Sequence, residues 1–93
     1  MRLILYSKPG CHLCEGLQEK LEQIQNLSFE LEIRDITTRE DWFAAYEYEV
    51  PVLFLSNHRG EEEKEASEKP LPRPSPRASV QQLEQMLRKY LAN

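Results

Sequence analysis

A chain of 93 residues with a formal net charge of −4 has room for one small domain, residues 1–93, and lacks the broad basic footprint that nucleic acids or anionic membranes require. Two cysteines are too few for the disulfide framework of a small secreted protein. Their spacing in Cys11-His12-Leu13-Cys14 suits a reactive dithiol in a reducing cytosol.

Leu3-Ile4-Leu5-Tyr6 is continuous and apolar and is closed by the breakers Pro9 and Gly10, which predicts a short buried strand. It is far too brief for a signal-peptide core or a membrane span. A helix is predicted from Cys11 to near Asn26, because Leu13, Leu17, Leu21 and Ile24 recur at helical spacing among charged and amide residues. Phe29, Leu31 and Ile33 then alternate with Glu30, Glu32 and Arg34, the pattern of a strand near a sheet edge, finished by Asp35 and Ile36. Thr38 with Asp41 in the following turn predicts the N-cap of a short second helix, whose Trp42, Phe43 and Tyr46 are expected in the core.

Val50-Pro51-Val52-Leu53-Phe54-Leu55 predicts a third strand with proline confined to its start, and Asn57, His58 and Gly60 a turn after it. Residues 60–76 begin highly charged and continue with alternating Pro70, Pro72, Pro74 and Pro76, without the spacing of a P-x-x-P ligand. A mobile or extended loop unsuited to burial is expected there. Ser79 is a good N-cap for a last helix with Val80, Leu83, Met86, Leu87, Tyr90 and Leu91 on one face and Arg88 and Lys89 near its C-terminus. Strands alternating with helices imply that the first two strands pair in parallel through a crossover helix.

At a helix N-terminus, unpaired backbone N–H groups and a partial positive charge favour a thiolate, so Cys11 is the candidate nucleophile. Lys8 and His12, if cationic nearby, add to that effect; both residues are equally compatible with ordinary surface positions. The two cysteines, His12 between them and a distant His58 do not have the spacing of a tetrahedral zinc site.

The run Leu5-Tyr6-Ser7-Lys8-Pro9-Gly10-Cys11-His12-Leu13-Cys14, with Val50-Pro51-Val52 downstream, resembles the glutaredoxins of the thioredoxin-fold superfamily. The resemblance implies an α/β, thioredoxin-like β-α-β-α-β-(β)-α three-layer sandwich with a mixed sheet, and a thiol-disulfide oxidoreductase. Cys11 then attacks the substrate to form a mixed disulfide and Cys14 resolves it. A cis bond before Pro51, facing the cysteines, is implied as well, with the Val50 N–H and C=O offered to an extended substrate. The residues by themselves also allow a trans proline that merely opens a strand.

Two departures narrow the match. Familiar glutaredoxins hold glutathione with a paired-glycine motif, where this chain reads Arg77-Ala78-Ser79-Val80, and Glu49 stands before the Val-Pro in place of a hydroxyl residue. The nearest resemblance is therefore to short glutaredoxin-like chains that lack the glycine pair. The helix opening at Ser79 still has backbone N–H groups to offer a carboxylate or phosphate. The expected partners are a disulfide-containing protein or small-thiol substrate and a cellular reductant, glutathione or a thioredoxin-reductase system. A cytoplasmic monomer is expected, with no bound cofactor or metal and no nucleic-acid or membrane partner. The alternative is a module on the same fold that binds an iron–sulfur cluster or a protein without turnover.

Overall fold

The computed structural model describes residues 2–56 and 68–91. The first apolar run forms β1 (Arg2–Ser7), followed by α1 (His12–Gln23), β2 (Glu30–Asp35), a 3₁₀ turn (Ile36–Thr38), α2 (Glu40–Tyr46), β3 (Val52–Ser56), β4 (Glu68–Pro70) and α3 (Val80–Leu91). The strands make one four-stranded sheet in the order β2-β1-β3-β4. β1 and β2 run parallel, with Leu3 opposite Leu31 and Leu5 opposite Ile33, as a strand–helix–strand order requires. β3 is antiparallel to both β1 and β4.

Alternation along the strands sends side chains into two layers. Leu3, Leu5, Leu53 and Leu55 pack with Leu21 of α1, with Ile24 just beyond its end, and with Leu83 and Leu87 of α3. Ile4 and Tyr6 point to the other face, where Ile36 and the half-buried Trp42, Tyr46, Val52 and Phe54 meet them. The result is the mixed-sheet α/β sandwich of thioredoxin-like type expected from the sequence.

The structure also corrects the sequence reading. α1 ends at Gln23 rather than near Asn26, because Ile24 turns to extended backbone and its N–H reaches back to the Leu21 carbonyl at 3.3 Å. Leu13 is 54% exposed, and its expected core position belongs to Cys14, which is 2% exposed. The helix starts only at His12, so Leu13 projects from the first turn beyond the core that Cys14, Leu21 and Ile24 enter. Thr38 caps no helix: it lies in the 3₁₀ turn and its hydroxyl donates to the Asp35 carbonyl at 2.7 Å. The cap there is Asp35, whose carboxylate accepts from the Thr37 N–H at 2.9 Å, while α2 begins after Arg39 with no side-chain cap. Phe43 is largely on the surface rather than in the core.

Ser79 does cap α3, in a reciprocal box: the Gln82 N–H donates to Ser79 Oγ at 3.0 Å and the Ser79 N–H to Gln82 Oε1 at 2.9 Å. β4 lies at the end of the charged stretch and is exposed throughout, with Pro70 placed on an edge strand, where a missing N–H is tolerated. It delivers Leu71 into the core, with the Leu71 N–H on the Leu53 carbonyl at 2.9 Å. The expectation that residues 60–76 contribute nothing buried therefore fails at Leu71. The turn predicted at Asn57, His58 and Gly60 and the charged residues 61–67 lie outside the described residues.

Candidate redox site

The Pro9-Gly10 turn brings the chain from β1 to α1, and Gly10 takes φ +77, a left-handed conformation that suits glycine. The Cys11 N–H closes that turn on the Lys8 carbonyl at 3.3 Å. Cys11 is thereby placed as the N-cap of α1, with extended backbone, and its Sγ accepts a hydrogen bond from the Cys14 N–H at 3.3 Å. The N-cap sulfur thus takes the place of the usual capping oxygen, aligned with the positive end of the helix.

Cys11 and Cys14 form a disulfide, with Cα atoms 5.2 Å apart. The two sulfurs are not equivalent. Cys11 is partly exposed, whereas Cys14 lies one turn inside, 2% exposed. Cys11 is therefore the more accessible of the two sulfurs.

The Val50–Pro51 bond is cis, and Pro51 is buried beside the first turn of α1. The Val50 N–H, expected to face substrate, donates instead to the Tyr46 carbonyl at 3.1 Å, completing the C-terminus of α2. Lys8 also turns to that helix end: its ammonium donates to the Glu47 carbonyl at 3.3 Å, a favourable place for a cation. The His12 side chain is 97% exposed, with Nδ1 4.0 Å from Glu15 Oε1. Of the residues singled out in the sequence, Cys11, Cys14, His12 and Pro51 gather at one end of the molecule, and Lys8 ties the turn before Cys11 to the loop before Pro51.

Sequence reasoning missed the opposite wall of the site. A groove of about 220 Å3 runs from His12 and Leu13 along α1, bounded by Pro51 and by the 73–76 segment. Lys20 fastens that segment to α1 by donating to the Pro76 carbonyl at 2.9 Å and the Ala78 carbonyl at 2.6 Å. Arg73 fastens its other end to the Val-Pro loop by donating to the Glu49 carbonyl, with the Glu49 carboxylate 4.0 Å away. All three bonds join residues far apart in sequence to backbone carbonyls, which no local pattern signals. The capping box at Ser79 meanwhile occupies two of the N–H groups that the start of α3 had to offer an anion.

On the far face of the sheet Arg34 is enclosed between aromatic rings, 5.4 Å from the Tyr6 ring centre and 5.3 Å from that of Trp42. It donates to Glu32 at 2.7 Å and to the Tyr6 hydroxyl at 2.7 Å. The Arg34 hydrogen bond holds the Glu32 carboxyl below its ordinary range, and burial pushes the Tyr46 phenol up. These groups brace α2 against the sheet. Among the described residues, no three His, Cys, Asp or Glu side chains are grouped to hold a metal, and no helix is long and apolar enough to cross a membrane.

A four-stranded mixed sheet, a Cys-x-x-Cys disulfide capping the first helix and a cis proline beside it define a glutaredoxin-type site on a thioredoxin-like fold. The glutaredoxin-like domain family (DUF836) matches residues 2–88, and the chain belongs to that family. No curated protein and no solved structure matches it.

Proposed function

We propose that this protein is a thiol-disulfide oxidoreductase. The observation that carries the reading is the asymmetry of the dithiol, with Cys11 at the exposed helix N-terminus and Cys14 buried one turn behind it. In the reduced protein the Cys11 thiolate attacks one sulfur of a substrate disulfide, the substrate bond breaks, and its other sulfur leaves as a thiol. Cys14, deprotonated, then attacks the Cys11 sulfur and releases the second substrate thiol, so the substrate gains two electrons as the protein dithiol becomes the Cys11–Cys14 disulfide. The aligned N–H groups of α1 stabilise the Cys11 thiolate, and the cationic forms of Lys8 and His12, which flank it in the chain, add positive potential. Val50 and Pro51 border the bound substrate. The working partners are a disulfide-containing protein or small thiol and, in the cytoplasm, a glutathione or thioredoxin-reductase system that regenerates the dithiol, with no resident cofactor.

The test is equilibration in glutathione redox buffers, an alkylating quench and mass measurement. A reversible Cys11–Cys14 disulfide with a midpoint between roughly −180 and −270 mV is expected. Cys11→Ser abolishes exchange and Cys14→Ser traps mixed disulfides. A dithiol that never closes, or a disulfide that never opens in that range, refutes the proposal.

A further inference from the structure

The groove beside the disulfide has an unusual lining for a site next to a nucleophilic sulfur. Leu13, the residue between the cysteines that the core leaves out, forms its mouth, and Leu17, Pro51, Pro74 and Pro76 continue it. Its floor passes Gly16, where an added Cβ meets nothing within 4 Å. The volume, about 220 Å3, is below the roughly 300–1,000 Å3 of small-molecule sites and is suited to one large side chain.

Apart from the exposed His12 at its mouth, the charged side chains around it are already turned to backbone carbonyls. Lys20 is held by the Pro76 and Ala78 carbonyls and Arg73 by the Glu49 carbonyl, with the Glu49 carboxylate close by. Pro74 and Pro76 have no N–H to present to an anion. Beyond them the Arg77 N–H donates to Ser75 Oγ at 3.1 Å and the Ala78 N–H to the Ser75 carbonyl at 3.0 Å. A doubly carboxylated ligand such as glutathione thus finds Lys20 and Arg73 already turned to backbone carbonyls and Pro74 and Pro76 without N–H groups, whereas an apolar side chain displaces only water.

The geometry points to a specificity pocket: the groove takes an aliphatic or aromatic side chain that flanks the cystine of a polypeptide substrate, and so directs exchange to peptide or protein disulfides in preference to glutathione mixed disulfides. This assignment rests on the thiol-disulfide reading above. The reaction is the one already balanced, with the flanking side chain seated along Leu13 and Pro51 while the substrate sulfur meets Cys11. Continuity of the groove with the residues between the two cysteines is what commits it to a disulfide-bearing partner.

The probes are mixed disulfides of thionitrobenzoate with blocked Leu-Cys-Gly, with blocked Asp-Cys-Gly, with glutathione and with mercaptoethanol, the last having no flanking side chain. The reduced protein attacks the thiol-side sulfur, thionitrobenzoate leaves and is read by absorbance, and Cys14 then frees the thiol. The leucine probe is expected to react roughly ten-fold faster than the aspartate and glutathione probes, the effect of partly burying one leucine. Gly16→Leu fills the groove from its open floor and reduces that preference to within about two-fold. Leu13→Asp, checked for fold by circular dichroism, is the second variant and also erases it. If the mercaptoethanol probe reacts but the leucine, aspartate and glutathione probes differ by less than about two-fold, the pocket is refuted and the exchange reading stands. If no probe reacts, the exchange reading falls and the pocket falls with it.

Discussion

Replacing Lys20 with Met isolates the contribution of the strap that closes the groove. The ammonium leaves α1 to meet two carbonyls, Pro76 at 2.9 Å and Ala78 at 2.6 Å, the first exposed and the second part-buried. A hydrogen bond involving a charged group contributes about 1.5–3 kcal/mol where water is excluded. Here water can replace the lysine at both carbonyls, and methionine keeps most of the aliphatic stem, so the loss is discounted to about 1 kcal/mol. In a domain of this size that corresponds to a midpoint lowered by roughly 4–8 °C. The effect on local opening is more diagnostic. Amide exchange across 71–79 should accelerate about five-fold by mass spectrometry, while β1 follows only the smaller global change. Lys20→Arg retains a donor and should recover part of the protection. Unchanged exchange across 71–79 in Lys20→Met, with an unchanged melting midpoint, would mean that the segment is held by Leu71 and the prolines alone, and the strap would have no energetic role.

Three further outcomes follow from the packing and the charges. Because its pairing with Arg34 holds the Glu32 carboxyl below its ordinary 4.5, Glu32 contributes stability that is fully present above that value and is lost as pH falls through the lowered one. Urea midpoints should therefore decline between about pH 5 and 3, and Glu32→Gln should flatten that decline by less than about 1 kcal/mol, since the pair is partly solvated; an equally steep decline in the variant would exclude the pair as a cause. Leu87 is fully buried between α3 and the sheet, so Leu87→Ala should cost about 2–5 kcal/mol by chemical denaturation, and a loss under 1 kcal/mol would contradict the packing described. Ser79→Ala removes one half of the reciprocal cap and should cost about 1 kcal/mol, with faster exchange confined to the first turn of α3.

Where apolar residues repeat, the sequence was legible. The run at Leu3–Tyr6, the alternation around Leu31 and the helical spacing of Leu83 and Leu87 each state an element and its buried face, except that Ile33, expected on that face, is 38% exposed. β4 was hidden because Glu68, Lys69 and Pro70 are all exposed; the strand is made by its backbone pairing to β3, which leaves no mark in side-chain hydropathy. Thr38 misled for a related reason. Asp35 and Thr38 are both good capping residues, and the choice between them was made by the tertiary position of the 3₁₀ turn that buries Ile36. Helical spacing placed Leu17, Leu21 and Ile24 correctly and misjudged the phase only in the first turn, where Cys14 rather than Leu13 begins the buried stripe.

That phase has a chemical consequence. Placing Cys14 in the stripe with Leu17, Leu21 and Ile24 hides the second sulfur and leaves a leucine at the surface between the cysteines. The orientation of the first turn of α1 thus accounts for both the unequal exposure of the two sulfurs and the apolar mouth of the groove. The far wall has a separate origin: Lys20, two turns farther along α1, and Arg73, just after Leu71, carry it to the dithiol through bonds to backbone carbonyls. In the proposed exchange reaction, reactivity would be set by the N-terminal turn of α1 and selectivity by what Lys20 and Arg73 draw up against it. Substitutions in the 73–76 segment should accordingly change which disulfides react more than whether the Cys11–Cys14 pair can close, a separation that parallel measurements of probe preference and redox equilibrium on the same variants resolve.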